Sequence, residues 1–510
     1  MSFTSLSFFL FLPVVFALYW ALRRHLRWQN ALIVLASYVF YGWWDWRFLL
    51  LIALTTAASY VCGLAIERCE GRESWRRALS AANICLNLGI LGLFKYFDFF
   101  SANFAALLRA CGLHADALTL HLILPVGISF YTFQALSYTI DVYRRRLPAT
   151  RDAAAFFAYI SFFPQLVAGP IERATHLLPQ MLRARTFNYY RAVDGLRQML
   201  WGFCKKMIVA DTCALAVDII WQAPGEQSAL ALLVGAFLFA IQIYGDFSGY
   251  SDIAVGCARL FGIELMQNFR TPYFATSVTD FWRRWHISLM TWLRDYVYIP
   301  LGGNRGSRAL QLRNTFTVFL VSGLWHGAAW TFILWGLYHA LLVSLEKRRP
   351  STVHSPSSTV HSPSSILAPL LTFILVTAGW IIFRAPDLTT LGTYLAGLTR
   401  LSTLTAFGSL TMGKQALLWS AALLIIEWLQ RDRPHALDFS FCSPAPSCYL
   451  VTVPEGSSSV KRPFGPSAPE GGSLRALLRH RPLRWAIYYA LLALLLFCHA
   501  EQHTFIYFQF

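Results

Sequence analysis

His326 lies inside the uncharged stretch Thr315 to Leu345, in the local sequence Ser322-Gly323-Leu324-Trp325-His326-Gly327-Ala328-Ala329-Trp330. An ionisable residue in so apolar a segment is costly and points by default to function. Apolar surroundings disfavour the imidazolium, and a neutral ring can accept a proton, as a general base must. The competing reading is a hydrogen bond that packs two helices. Gly323 and Gly327 flank the histidine at i, i+4 spacing, which permits close helix approach or a break. His339, in the same run, projects roughly 220° around an ideal helix from His326 and reads as structural.

The densest polar stretch runs from Asp280 to Arg313. On a helical wheel Trp282, Trp285, Leu289, Trp292, Leu293 and Tyr296 share one face, and Arg283, Arg284, Arg294 and Asp295 share the other. That pattern predicts one amphipathic helix lying in the membrane interface. His286 falls on the apolar face, where packing against a neighbouring helix competes with an active role. The stretch Pro300 to Gly306 forms a turn that ends the helix.

A third cluster, Tyr244 to Asp252, places Asp246 and Asp252 among small residues between apolar segments. These carboxylates can orient a histidine, pair with Arg270 or Arg283, or cap a helix. Gly245 and Gly249 read as helix packing. No catalytic triad, phosphate-binding loop or dinucleotide fingerprint occurs in a suitable context.

The elements that must position these residues are helices in a membrane. Of 510 residues 56% are hydrophobic and only 14% charged, against about 25% charged in soluble domains; mean hydropathy is +0.47. Lipid offers the backbone no hydrogen-bond partners, so spanning segments are helices or a closed barrel, and these apolar runs are too long for barrel strands. Candidate segments fall near 6–22, 30–44, 48–66, 79–94, 122–140, 155–169, 206–221, 229–245, 315–345 (one or two helices), 366–383, 415–428 and 486–498. Several are short enough to be re-entrant or interfacial. The expected architecture is all-α, a single polytopic domain over 1–510 with roughly ten to twelve crossings.

The net charge of +17 does not imply nucleic-acid binding, because Lys and Arg cluster between apolar runs. Arg23, Arg24 and Arg27; Arg68, Arg72, Arg76 and Arg77; Arg144 to Arg146; and Lys347 to Arg349 fit the positive-inside rule. The first apolar run precedes its arginines and lacks a small-residue cleavage site, so it reads as an uncleaved helix with its N-terminus outside. The ten cysteines show no metal spacing, no metal site is expected, and the Cys442/Cys448 pair is left without a disulfide assignment. Two stretches stand apart. One is a Ser/Pro-rich loop at 350–365 carrying STVHSPS in tandem; the other is a flexible Pro/Ser/Gly-rich loop at 434–474. His354, His361 and His435 there read as solvated loop histidines.

The same residues carry a resemblance. PQLVAGPIERA (164–174), YGDFSGYSDIAVG (244–256), FRTPYFATSVTDFWRRWHISLMTWLRDYVYIPLGGNRGS (269–307), SGLWHGAAWTFILWGLYHA (322–340) and the terminal FIYFQF resemble the membrane-bound O-acyltransferase superfamily. Among its branches they are most similar to the bacterial alginate O-acetyltransferase subfamily. The resemblance covers most of the chain and implies about eleven transmembrane helices with re-entrant or interfacial ones around a central tunnel. It matches His326 to the family's histidine in an apolar helix and His286 to a second polar residue upstream. It implies a multi-pass protein of the cell inner membrane with no bound cofactor. An acyl thioester, acetyl-CoA or an acyl carrier protein, is delivered from the cytoplasm, and the acyl group reaches an exported polysaccharide through a periplasmic acetyltransferase partner. In that frame His326 is the base or relay and His286 positions the acyl group or hydrogen-bonds its oxygen. Arg283, Arg284, Asn304, Arg305, Asp246 and Asp252 are the candidate substrate-binding residues. The alternatives are D-alanyl transfer to teichoic acid, as in a related branch, and a non-catalytic acyl conduit; no internal repeat of the kind transporters show supports the latter. The tandem STVHSPS and the 434–474 loop depart from the family's pattern.

Overall fold

The computed structural model describes residues 1–347, 364–404, 413–439, 480–497, 503 and 505–506. Among these residues it is helical throughout, with no strand. The first half contains α1 (Leu6–Ala21), α2 (Leu26–Asp45), α3 (Arg47–Arg68), α4 (Glu73–Lys95), α5 (Phe97–Ala110) and α6 (Ile128–Tyr143). Shorter helices follow: α7 (Ala153–Ser161), α8 (Phe163–Leu166), α9 (Ala174–Met181), α10 (Tyr189–Phe203) and α11 (Asp211–Gln222). Then come the long α12 (Ala229–Leu260), the short α13 (Val278–Arg284) and α14 (Ile287–Leu293), α15 (Arg308–His326) and α16 (Trp330–Glu346). The last are α17 (Ser364–Arg384), α18 (Leu388–Leu398), α19 (Lys414–Leu429) and α20 (Arg481–Phe497).

Among the described residues four helices are long and apolar enough to cross a membrane: α3, α4, α12 and residues Leu367–Arg384 of α17. Helices α1 and α16 are apolar but shorter. Expected residues 350–363 of the duplicated loop, including His354 and His361, and 440–474 of the second loop, including Cys442 and Cys448, lie outside the described residues; Ser364 already begins α17.

Basic clusters gather at one end of the bundle, and a chain of contacts fixes this. Tyr19 and Trp20 at the end of α1 donate to the carbonyls of Phe261 and Leu260 at the end of α12. Arg76 at the start of α4 donates to the carbonyls of Val142 and Tyr143 at the end of α6. Arg144 reaches the Asp295 carbonyl, and Arg173 pairs with the Asp295 side chain. Burial alone would raise the Asp295 carboxyl, but hydrogen bonds from Arg294 and Arg173 hold it below the usual range. At the opposite end the Met1 amine donates to Phe40, and Tyr41 donates to Val126 just before α6.

The wall of the core is α12, with most of its residues buried. At about 48 Å it exceeds the hydrocarbon thickness. Sequence reasoning ended an apolar segment near 245, but the helix continues unbroken through Asp246 and Asp252, so neither is a cap. Small residues let α10 lie against it. A Cβ on Gly202 would stand 2.6 Å from the Gly249 carbonyl oxygen, and one on Gly256 would stand 2.4 Å from that of Gly195. The expected packing role of Gly249 is thereby met.

The run 315–345 is two helices. Gly327 caps α15 in an extended conformation, and α16 starts at Trp330. The pair packs backbone to backbone, since a Cβ on Gly336 would meet the Phe319 carbonyl oxygen at 2.4 Å. Gly336→Ala is therefore expected to lower stability by about 1–3 kcal/mol through forced separation of α15 and α16. A melting midpoint in detergent equal to wild type would show that the helices can part freely.

Candidate active site

His326 is the last residue of α15 and is buried beside Trp325, Trp335 and Phe383, at ring-centroid distances of 5.0, 5.2 and 5.1 Å. The end of α15 is held from α4. Lys95 Nζ donates to the carbonyls of Trp325 and His326 at 2.6 and 2.9 Å, and the Tyr96 hydroxyl donates to that of Leu324 at 2.6 Å. Carbonyls at a helix C-terminus lack partners within the helix and carry its partial negative charge, so a lysine there is favoured. Sequence reasoning passed over Lys95; its one signal was a cation closing the apolar run 79–94.

His286 is also buried, but not on a continuous helix. The predicted amphipathic helix breaks between α13 and α14, and His286 takes a left-handed conformation at φ +43°. The segment Ile263 to Thr271 causes the break by pairing with the chain there. Arg270 N donates to the Arg284 carbonyl at 3.0 Å, and Ile287 N donates to the Asn268 carbonyl at 2.9 Å. Nor does the stretch lie flat in an interface: Trp282, Trp285, Leu289, Trp292 and Leu293 are all buried in protein. The wheel's division into faces survives, with Arg283 and Arg294 exposed.

Two cavities lie on either side of this region; one reaches Asn268, beside His286, and the other is lined by His326. One, about 280 Å³, runs inward from the basic end, past Arg259, Arg270 and His435, to Asp252, Ser251 and Asn268. The other, about 70 Å³, is lined from the opposite end by Lys95, Pro125 to Phe130, Val167, Trp325 and His326. His286 stands in the wall between them. Its Nδ1 is 3.3 Å from Asn268 Oδ1, a lining residue of the first. Its ring stacks on Phe130 at 6.4 Å and lies 5.7 Å from Trp325, both lining the second. Phe247 closes a further side at 4.7 Å.

The other predicted residues are placed as follows. Asp252 lines the larger cavity, paired with Lys205 at 2.6 Å and accepting from Gln198 at 2.8 Å. Asp246 lies outside both cavities. It pairs with Lys206 at 2.9 Å and accepts from Ile506 N at 2.7 Å, while Lys206 also bonds Asp211 at 2.7 Å. Both carboxylates thus take the structural pairing that was one of their readings, with Lys205 and Lys206 as partners in place of Arg270 or Arg283. Arg284 pairs with Asp280, Asn304 accepts from Tyr298, and Arg283 and Arg305 are exposed. None of these four lines either cavity. His339 is buried and accepts from Trp282 Nε1 at 3.3 Å, as its structural reading requires. His435 corrects its reading as a solvated loop residue: it is buried, bonds Asp194 at 3.2 Å and lines the larger cavity. Among the described residues no cluster of His, Cys, Asp or Glu could hold a metal ion.

Comparison with known proteins gives a consistent picture. The profile of "MBOAT, membrane-bound O-acyltransferase family" matches residues 143–362. The chain is 42% identical over 392 residues to a probable alginate O-acetylase AlgI of Pseudomonas aeruginosa, spanning 76% of this chain and 73% of that protein. It is 35% identical to a peptidoglycan O-acetyltransferase of Helicobacter pylori, over 78% of this chain and 80% of the relative. Identity to a teichoic acid D-alanyltransferase of Bacillus subtilis is 30%, over 52% of this chain and 69% of the relative.

Proposed function

Because the chain belongs to the membrane-bound O-acyltransferase family and is an acyltransferase, we propose that it moves an acetyl group from a cytoplasmic thioester to a hydroxyl at the far side of the His286 wall, for O-acetylation of an exported polysaccharide. The observation that carries this reading is a pair of cavities at opposite ends of the bundle, one lined by His326 and the other by Asn268, the hydrogen-bond partner of His286, with His286 between them. The basic end is cytoplasmic by the positive-inside rule. It presents Arg259 and Arg270 to the phosphates of acetyl-CoA or of a carrier protein's prosthetic arm, and the exposed Arg283 and Arg305 add to the attraction. About eleven crossings follow if the shorter helices complete the four long ones.

In the reaction the hydroxyl oxygen adds to the thioester carbonyl while His326 takes its proton. The C–S bond then breaks, the new C–O ester remains, and the departing thiolate takes the proton from the imidazolium. The aromatic wall keeps water from the thioester. Acetyl transfer is favoured over D-alanyl transfer because the acetyl-transferring relatives match more of this chain at higher identity. A periplasmic acetyltransferase that carries the group onward to the polymer fits the small size of the outer cavity.

Purified protein supplied with labelled acetyl-CoA, and separately with acetylated carrier protein, should release free thiol and pass label to an acceptor hydroxyl. Failure to deacylate either donor with acceptor and partner present would leave a passive conduit as the better reading. His286→Ala is expected to lower transfer about 10- to 100-fold without abolishing it, measured as label transferred at saturating thioester; unchanged turnover would make His286 a packing residue.

A further inference from the structure

The side chain that decides what His286 can do is Asn268, which sequence reasoning missed. Asn268 is 1% exposed and is bonded on both amide atoms. Its Nδ2 donates to Ser251 Oγ at 3.1 Å. Its Oδ1 accepts from Ser288 N at 3.3 Å and from the Ser288 hydroxyl at 2.6 Å. The amide's orientation is fixed by the Ser288 backbone N–H, which can only donate; Ser288 Oγ also accepts from Ile171 N at 2.9 Å. Exchanging the amide oxygen and nitrogen would set an N–H₂ against the Ser288 N–H, two donors facing each other. The atom 3.3 Å from His286 Nδ1 is therefore an acceptor. A neutral imidazole carries one N–H, and here it sits on Nδ1. Nε2 is left as a bare lone pair, and it is buried with no hydrogen-bond partner.

We propose that Asn268 is a positioning residue that holds His286 in the Nδ1–H tautomer, so that Nε2 presents a proton acceptor between the two cavities. This rests on the acyl-transfer reading and changes one role within it. A ring in this state cannot donate a hydrogen bond to the acyl carbonyl oxygen, the role sequence reasoning offered. It receives one, from the acceptor hydroxyl or from the thiol that leaves. The left-handed backbone at His286 belongs to the same device. Such a conformation is strained for a non-glycine residue, and here Asn268 binds the chain on the C-terminal side through the amides of Ile287 and Ser288. One residue thus sets both the ring's place and its protonation pattern.

The test uses full-length protein in lipid vesicles with labelled acetyl-CoA and its polysaccharide acceptor, and with histidine labelled in ¹⁵N. Nitrogen shifts, assigned by difference against His286→Asn, should show His286 of the unmodified protein with Nδ1 protonated and Nε2 bare. Asn268→Ala should populate both tautomers and lower the maximal rate at least about tenfold with the KM for the thioester unchanged. Asn268→Asp keeps an oxygen toward both Ser288 and Nδ1. It should recover the rate to within about threefold, which a purely structural role for the amide, lost with its bond to Ser251, would not predict. An Nε2–H tautomer in the unmodified protein, full activity in Asn268→Ala, or Asn268→Asp as slow as Asn268→Ala would each overturn the proposal. The tautomer is read without turnover, so the expected nitrogen pattern in a protein that transfers no acetyl group would defeat the acyl-transfer reading alone.

Discussion

Replacing His326 by Ala is expected to reduce acetyl transfer by about 10³-fold, the middle of the range that removal of a positioned general base produces. The loss should come with little change in fold. His326 closes α15 at a point where the helix ends anyway, and the clamp from Lys95 and Tyr96 acts on main-chain carbonyls that an alanine also supplies. Size-exclusion profile and melting midpoint should therefore stay close to those of the unmodified protein while polymer acetylation in cells disappears. His326→Gln, which keeps a polar side chain of similar reach but no basic nitrogen, should be as inactive as the alanine variant. Full acetylation by either variant would remove His326 from the chemistry and return it to a helix-packing role.

The second large effect belongs to Lys206. Its ammonium lies between Asp211 and Asp246, at 2.7 and 2.9 Å, and all three side chains are at least nine-tenths buried. Lys206→Met would leave two carboxylates in an apolar interior with no counter-charge, a loss of about 3–5 kcal/mol when one member of a buried pair is removed. The melting midpoint in detergent should fall by on the order of 5–10 °C. Adding Asp211→Asn and Asp246→Asn to the same protein should restore part of the loss, because the cost comes from uncompensated charge and not from missing volume. If the single variant melts like the unmodified protein, the cluster is solvated and the argument fails. The site is also expected to suffer, since Phe247, next to Asp246 on α12, packs edge-on against His286.

Some of this molecule was legible in its sequence, for physical reasons. An uncharged run longer than a membrane crossing makes a lone histidine conspicuous, so His326 stood out, and a helical wheel separates Trp282, Trp285 and Leu289 from Arg283 and Arg294 whatever they pack against. The break at His286 was not legible. No glycine or proline marks it; it is made by Asn268 and Arg270 arriving from a separate segment. Asp246 and Asp252 looked like interruptions of an apolar stretch, and they are tolerated mid-helix because Lys205 and Lys206 approach from the neighbouring chain segment. That adjacent pair of lysines, opening an apolar run, was the available signal. Helices α5 and α10 escaped because amphipathic segments leave no long apolar run. His435 was misjudged for its surroundings in sequence, a loop of Pro and Ser, although tertiary packing buries it against Asp194.

The thin wall at His286 has an electrical consequence. Where cavities enter from both faces, the insulating part of the membrane narrows to the side chains between them, and the membrane voltage falls mainly across that short distance. Moving a unit charge through it involves about 2.3 kcal/mol per 100 mV. The acetyl group of the proposed reaction is neutral and would cross without electrical work, while the phosphates of its proposed donor would stay behind on the side they came from. On the acetyl-transfer reading proposed above, a cell decorates an exterior polymer from an interior thioester pool without drawing on its ion gradients, provided that Phe130, Phe247 and Trp325 keep the wall shut to protons.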